Sequence, residues 1–137
     1  MSFTNKLVAI INKDIETGVA MNAIAHMTIG LGAQLTNEQL RLNDYQDKDS
    51  NIYPNISQIP FIILRGKSGE IRKAVFSARE QEVKLGVFTN TMTGGGYQEQ
   101  LDNTLQTLEA ELVYYGAVFF GPWDLVSQIT KKFSLYK

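Results

Sequence analysis

The chain has 137 residues, of which 44% are hydrophobic and 20% are charged, and its formal net charge at pH 7 is −1. This length and composition predict one soluble globular domain with a single core over residues 1–137. The near-neutral charge argues against a broad nucleic-acid surface, because phosphate binding requires clustered lysine and arginine.

The content of metal-binding and reactive side chains is low. The sequence has no cysteine and one histidine, which excludes disulfides, thiolate chemistry and a multi-histidine metal site within one chain. We therefore predict neither a metal nor a cofactor. The segment Met1–Asn5 is short and polar, and no apolar run approaches the length of a membrane span. These features predict a cytoplasmic protein without a membrane partner.

The first part of the chain predicts a strand, a turn and a helix. Leu7 to Ile11 is apolar without alternation, which is typical of a central strand covered on both faces. The polar turn Asn12–Thr17 leads into Gly18–Leu31, which contains no charged residue. Ligands of open α/β sheets usually bind at the carboxyl ends of strands, so this turn is expected to border a cleft.

The predicted helix has two apolar faces. The broader face is expected to cover the sheet and comprises Val19, Ala20, Ala23, Ile24, Met27 and Leu31. The second face, Met21, Ala25 and Ile29, predicts burial against another helix or against a second subunit, and these two interpretations are equally good. Asn22 and His26 are four residues apart, so they adjoin on the shoulder between the two faces.

Residues 35–58 are polar and predict irregular structure with a turn at Asp47–Asn51. The D-x-D start of this turn is similar to a calcium loop. However, the glycine at the sixth place and the distal glutamate are missing, so a simple turn is favoured.

Three further strands are predicted, and they lie at Pro60–Leu64, Val83–Phe88 and Leu112–Phe120. Helices are expected after the first of them and from Gly121–Pro122 onward, and Tyr97–Ala110 is predicted to be partly helical. The order β-α-β-α-β-β-α predicts an α/β fold, with a mixed sheet of four main strands and helices on both faces. The first two strands are expected to be parallel. Gly116, inside the last strand, predicts either a close-packing position or a bulge.

The loop after the third predicted strand is the best candidate for ligand binding. Three hydroxyls, an amide and a triple glycine follow one another there, and such groups suit hydrogen bonding to a neutral or anionic ligand. No Gly-Lys-Ser/Thr follows, so the loop is not a P-loop. The predicted ligand-binding residues are Asn22, Thr89, Asn90, Thr91, Thr93 and Gly94.

Two residues are candidates for catalysis. His26 is either a base or proton donor at the cleft, or a structural histidine bonded to a backbone carbonyl or to Asn22, and we favour the structural interpretation. Lys13, with Asp14 beside it, is expected to face the same cleft, although a charged pair on a turn is usually only solvated.

Two resemblances to known families follow from longer stretches of sequence. The opening KLVAIINKDIETGVAMNAIAHM and the ending GAVFFGPWDLVSQITKKFSLYK resemble the first and last parts of the second type of peptidyl-tRNA hydrolase. The patterns NKDIETGVAMNAIAHM, FTNTMTGGGYQEQL, YYGAVFFG and TKKFSLYK resemble a bacterial family of uncharacterised small proteins with the same hydrolase-like fold. The resemblance implies that fold for the whole chain, and it implies no established activity.

The chain departs from the hydrolase pattern where that family carries its chemistry. Val19 stands in place of the lysine, Ala23 in place of the glutamine and Asn90 in place of the aspartate that the resemblance implies. We therefore predict that the protein binds a small ligand in the cleft and does not cleave peptidyl-tRNA. The alternatives are a non-catalytic RNA-end or protein-interaction module, and a divergent aminoacyl-ester hydrolase that uses Lys13 or His26.

Overall fold

A computed structural model describes residues 3–81 and 83–137 of the chain. Met1 and Ser2 of the polar opening lie outside the described residues. The strands in chain order are β1 (Asn5–Asn12), β2 (Leu42–Gln46), β3 (Ile52–Ser57), β4 (Phe61–Gly66), β5 (Lys84–Thr89), β6 (Tyr114–Pro122) and β7 (Ser134–Leu135). Strands β2 and β3 form a separate hairpin, and the other five form one sheet in the order β5-β6-β1-β4-β7.

The sheet is mixed, as predicted, but it has five strands rather than four. The additional strand is β7, which pairs with β4 by placing Leu135 opposite Leu64. A strand of two residues is too short to show an alternating pattern, which explains why the sequence did not reveal it. Strand β1 pairs in parallel with β4 and antiparallel with β6, which confirms the parallel arrangement of the first two main strands.

Strands β1, β4 and β5 run in the same direction, because both β1 and β5 are antiparallel to β6 and β1 is parallel to β4. Their carboxyl ends therefore meet at one edge of the sheet. We call this edge the carboxyl edge. Strand β6 begins there, at Tyr114.

Helices cover both faces of the sheet, as predicted. They are α1 (Thr17–Ala33), α2 (Asn37–Leu40), α3 (Ser68–Glu80), α4 (Tyr97–Leu105) and α5 (Trp123–Thr130), with short 3-10 turns at Asn90–Met92 and Glu109–Glu111. Along β1, Leu7, Ala9 and Ile11 pack on the α1 side, whereas Val8 and Ile10 pack on the side of α3 and α5. Because both faces are covered, the strand is apolar at each position from Leu7 to Ile11.

Helix α1 lies very close to the sheet at Gly116. A Cβ atom at this position would lie 2.9 Å from Met27 Cε and 3.1 Å from the carbonyl oxygen of Ile10. The close-packing role that the sequence predicts for Gly116 is confirmed.

In the part of the chain that the structure describes, no other helix covers the second apolar face of α1, which corrects one of the two interpretations of this face. Met21 is 65% exposed and Ile29 is 73% exposed, and Ala25 between them is exposed as well. These three residues form a surface that we call the outer flank of α1. Within one chain this flank has no covering element among the described residues.

The hairpin closes with the predicted turn. Asp47 Oδ1 accepts hydrogen bonds from the backbone N–H groups of Asp49 and Asn51, and Asp47 Oδ2 accepts one from the Tyr53 hydroxyl at 2.6 Å. The hydrogen bond from Tyr53, followed by those from Asn51, lowers the pKa of Asp47 to about 2. The carboxylate that resembled a calcium ligand is thus occupied by the turn itself.

Among the described residues, no helix is both long enough and apolar enough to cross a membrane.

Candidate functional site

A cleft of about 450 Å³ lies between α1 and the segment that follows β5. Its lining residues are Asn22, His26, Met27, Val87, Phe88, Met92, Thr93, Gly94 and Gln100. Phe88, the second-last residue of β5, is buried and contributes to the floor. The predicted cleft between the Asn22/His26 shoulder and the loop after β5 therefore exists as a cavity, although the turn Asn12–Thr17 does not line it.

His26 stands on the α1 side of this cleft with its side chain exposed. Its ring stacks on the ring of Phe88, with 6.0 Å between the centroids and 26° between the planes. Among the described residues, His26 makes no hydrogen bond, and Asn22, one turn earlier, is also exposed. The interpretation of His26 as a buried, hydrogen-bonded structural histidine is therefore wrong.

The glycine-rich loop forms the opposite wall. Gly94 and Gly95 have φ angles of +79° and +68°, which lie in the left-handed region that favours glycine. The Gln100 side chain of α4 donates from Nε2 to the carbonyl oxygen of Gly94 at 3.1 Å. This hydrogen bond holds the loop against α4 while Thr93 and Gly94 remain exposed to the cleft.

Three polar side chains at the carboxyl edge bind the backbone where β6 begins. Asn12 donates from Nδ2 to the carbonyl oxygen of Tyr114 at 2.9 Å, and Asn90 Oδ1 accepts from the N–H of Val113 at 3.0 Å. Ser68 Oγ accepts from the N–H of Tyr114 at 2.8 Å. Each side chain follows or ends a different strand, so the three together fix the start of β6 against β1, β4 and β5.

Three of the six predicted ligand-binding residues therefore do not line the cleft. Asn90 is bonded to Val113, and Thr89 is buried with its hydroxyl 2.8 Å from the hydroxyl of Thr91. The Thr91 hydroxyl also accepts from Thr104 Oγ1 at 2.7 Å. These hydrogen bonds give Thr89, Asn90 and Thr91 a structural role in the loop, and Asn22, Thr93 and Gly94 remain at the cleft.

Lys13 and Asp14 do not face this cleft, which corrects the prediction. They line a separate cavity of about 470 Å³ together with Arg65, Glu70 and Lys132. The sequence could not separate the two cavities, because both lie near ends of strands that run in the same direction. His26 and Lys13, the two catalytic candidates, are therefore not brought together.

Sequence reasoning missed much of the cleft's lining. Met27 lies on the sheet-facing side of the predicted helix, Val87 within a predicted strand and Gln100 within the partly helical segment, and Met92 is the apolar residue of the candidate loop, so the sequence does not predict that these four line the cleft. The position of Gln100 in the sequence does indicate its role. A polar residue in the first turn of a helix can bond back to the loop before that helix, and Gln100 follows the triple glycine by four residues.

The described lining of the cleft contains His26 and otherwise only apolar residues, amides, a hydroxyl and a glycine. Among the described residues that line it, none is a lysine, an arginine, an aspartate or a glutamate. Charged groups with shifted pKa values lie elsewhere. On the α3 side of the sheet, the Tyr114 hydroxyl donates to Glu109 Oε2 at 2.7 Å and lowers the pKa of Glu109, and Arg72 adds a salt bridge at 2.8 Å.

The fold defines the chain as a single-domain α/β protein built on a mixed five-stranded sheet with a neutral cleft beside one edge strand. The chain belongs to a family described as "Protein of unknown function (DUF2000)", whose family model matches residues 5–137. The chain is also similar to the solved structure of Atu0240, a protein of unknown function from Agrobacterium tumefaciens str. C58. The TM-score is 0.86 at 20% sequence identity, and the similarity covers 99% of this chain and 100% of that chain. This likeness shows the fold alone. No curated protein matches the sequence.

Proposed function

We propose that the protein binds an uncharged, partly apolar small molecule in the cleft between α1 and the loop after β5. The observation that carries this proposal is the neutral lining of a cavity that has a polar rim and an apolar floor. Small-molecule sites in proteins are commonly of this size, and a few polar groups in them orient the ligand.

The neutral lining disfavours a strongly charged ligand. A charge that leaves water must find an opposite charge or several hydrogen bonds, and otherwise the transfer is unfavourable. The cleft offers neutral hydrogen-bonding groups from Asn22, Thr93 and the backbone of Gly94, together with the ring of His26. These groups suit amides, hydroxyls and ring nitrogens. Phe88 and Met92 provide the apolar contacts for the body of a flat molecule.

Binding fits this geometry better than hydrolysis does. A general base needs a group that orients it and a site where the reacting atom can sit. His26 has no hydrogen-bonding partner among the described residues, and Lys13 lies at the other cavity. Of the two catalytic candidates, only His26 therefore remains at the cleft for the alternative of an aminoacyl-ester hydrolase. That alternative predicts ester turnover that His26→Ala abolishes.

The test uses pairs of probes that differ in charge and hardly in shape. Benzamide is compared with benzoate, and uridine with uridine 5′-monophosphate, by titration of ¹⁵N-labelled protein monitored by NMR. We expect the neutral member of at least one pair to shift the amide signals of Thr93 and Gly94 and the ring signals of His26. We expect its charged partner to bind at least about tenfold weaker, a difference of about 1.4 kcal/mol.

Variants locate the binding. Asn22→Ala and His26→Ala are expected to weaken it, whereas Asn103→Ala, a matched change on an exposed helix outside the lining, leaves it unchanged. If neither neutral probe shifts these signals, or if the anions bind as tightly as their neutral partners, the proposal is wrong. Shifts by uridine 5′-monophosphate confined to the cavity of Lys13, Arg65 and Lys132 would instead favour the RNA-end alternative.

A further inference from the structure

Two cavities adjoin beside α3, away from the cleft of α1. The cavity of about 470 Å³ that contains Lys13 lies next to one of about 520 Å³ between α3 and α5. Glu70, Lys132 and Phe133 line both cavities, so the two form one continuous groove, which we call the basic groove. The basic groove and the cleft between α1 and the loop after β5 share no described lining residue, so they are separate places on the protein.

Positive charge is concentrated in the basic groove. Its charged lining residues are five cations and two carboxylates, namely Lys13, Arg65, Lys73, Lys131 and Lys132, with Asp14 and Glu70. Their formal charge is therefore +3, whereas the other eight cations and twelve carboxylates of the chain give −4. The net charge of −1 is thus the sum of a positive groove and a negative remainder. A groove lined mainly by charges of one sign attracts ligands of the opposite sign.

The five cations are available to bind an anion. Among the described residues, none of their side chains makes a hydrogen bond or an ion pair. The Glu70 carboxylate has another partner, because its Oε1 atom accepts a hydrogen bond from the backbone N–H of Lys67 at 3.4 Å and caps α3. Like charges held together without partners repel one another, and an anion that enters the groove relieves this repulsion.

We propose that the basic groove binds a small organic molecule that carries two or more phosphate groups. Lys13 and Arg65 line only the first cavity, and Lys73 and Lys131 line only the second. Lys132 lines both. One phosphate group could pair with the cations of one cavity only, whereas two could pair with both sets. Phosphate suits these residues, since arginine can donate two parallel hydrogen bonds to phosphate oxygens and lysine supplies a compact charge.

The position of the groove in the fold supports a ligand site. Lys13 follows the last residue of β1, and Arg65 is the second-last residue of β4. Both residues therefore lie at the carboxyl edge, outside which ligands of open α/β sheets usually bind.

The groove suits a small molecule better than a nucleic acid. Along α3 it extends from Glu70 to Gln81, which is about 17 Å at 1.5 Å per residue. Ile129 and Phe133 offer apolar contacts to an organic body, and Gln81 and Gln128 offer amides. A long nucleic acid would extend beyond the groove over the rest of the chain, whose formal charge of −4 would repel its phosphates.

The first test uses inorganic pyrophosphate as the probe and orthophosphate as its counterpart with one phosphate, in buffer without divalent cations. Isothermal titration calorimetry should give an affinity for pyrophosphate at least about tenfold higher. Because the cations are exposed, raising NaCl from about 20 mM to about 200 mM should weaken the binding by about tenfold or more. NMR amide signals of Lys13, Gly66 and Lys132 should shift, while those of Thr93 and Gly94 stay unchanged. Equal affinities for the two probes, or no binding of pyrophosphate, overturn the proposal.

Variants that each remove one charge locate the site. Lys13→Gln and Lys73→Gln, one from each cavity, should each weaken pyrophosphate binding by at least about threefold, and Lys132→Gln should weaken it by about tenfold. Lys48→Gln is the matched control, because it removes the same charge from the hairpin turn outside the groove, and it should bind as the unmodified protein does. All four lysines are exposed, so circular dichroism should show an unchanged fold. An equal loss of binding in Lys48→Gln, or unchanged binding in Lys73→Gln, overturns the proposal.

Two further probes separate this proposal from the RNA-end alternative. Uridine 5′-monophosphate has one phosphate group, so it should bind the basic groove at least about tenfold weaker than pyrophosphate does. An oligouridine of about six nucleotides has more phosphates than the groove can cover, so it should not bind more tightly than pyrophosphate. Tighter binding of the oligouridine overturns the proposal and favours the RNA-end alternative.

Discussion

The imidazole ring of His26 on α1 stacks on the ring of Phe88 on β5, with 6.0 Å between their centroids. This contact joins the helix to the edge strand at the cleft. His26 is exposed, whereas Phe88 is buried in the core. Of the two rings, the imidazole is therefore the one that would contact the ligand that we propose.

Replacing His26 should hardly change stability. His26→Ala removes an exposed side chain without a hydrogen bond, so we expect the free energy of unfolding to change by at most about 0.5 kcal/mol. Met27→Ala, one residue further along, removes a buried side chain and should lower stability by about 2–5 kcal/mol. Urea denaturation of the two variants measures both effects. A large loss of stability in His26→Ala would restore the structural interpretation of this residue.

Asn12 and Asn22 should respond very differently to the same change. Asn12 is 4% exposed, and it donates to Tyr114 and accepts from the N–H of Asp14 at 2.8 Å. Asn12→Ala leaves a carbonyl and an N–H group without these partners and should lower the free energy of unfolding by about 2 kcal/mol. Asn22→Ala changes an exposed side chain and should be neutral. Similar midpoints for the two variants in urea would contradict this assignment.

Glycine substitutions test how closely α1 packs on the sheet. Gly116→Ala brings a methyl group within 3.1 Å of the carbonyl oxygen of Ile10, which cannot move away as a side chain can, and should lower stability by about 1–3 kcal/mol. Gly30→Ala, within α1, has no atom within 4 Å of the added methyl group and should raise stability by about 0.5–1 kcal/mol. Thermal unfolding of the two variants should therefore shift in opposite directions, and shifts in the same direction would contradict the described packing.

The hairpin should loosen at low pH. The pKa of Asp47 is lowered from 3.8 to about 2, chiefly by the hydrogen bond from Tyr53. A group whose pKa is lower in the folded than in the unfolded state stabilises the fold above its unfolded pKa, and this stabilisation disappears as the pH falls through the folded value. We therefore expect the signals of Asp49 and Asn51 to change between about pH 4 and pH 2.

Tyr53→Phe provides the control for the pH dependence. It removes the largest cause of the shift, so the pKa of Asp47 should rise towards 3.8, as followed by NMR titration of its carboxyl carbon. An unchanged titration curve in Tyr53→Phe would show that the backbone of the turn, rather than the tyrosine, holds the carboxylate ionised.

The cleft was only partly predictable from the sequence. The spacing of Asn22 and His26 placed them one above the other on a helix, and the triple glycine marked the loop opposite. However, Thr89 carries the same hydroxyl as Thr93, and Asn90 carries the same amide as Asn22. Thr89 and Asn90 nevertheless make hydrogen bonds inside the protein, to Thr91 and to Val113. Residue type alone does not say whether a polar side chain binds the backbone of another strand or faces solvent.

The sequence by itself determined the order of the main strands and helices and the burial of β1 on both faces, and it marked Gly116 as a close-packing or bulge position. These features follow from local periodicity and from side-chain volume, which are properties of short segments. Only the tertiary structure decided that β1, β4 and β5 end at one edge, that Lys13 and His26 belong to separate cavities, and that Met21 and Ile29 are exposed. Those outcomes depend on contacts between segments that are far apart in the sequence. The pattern of apolar and polar residues within one segment does not indicate which distant segment it will contact.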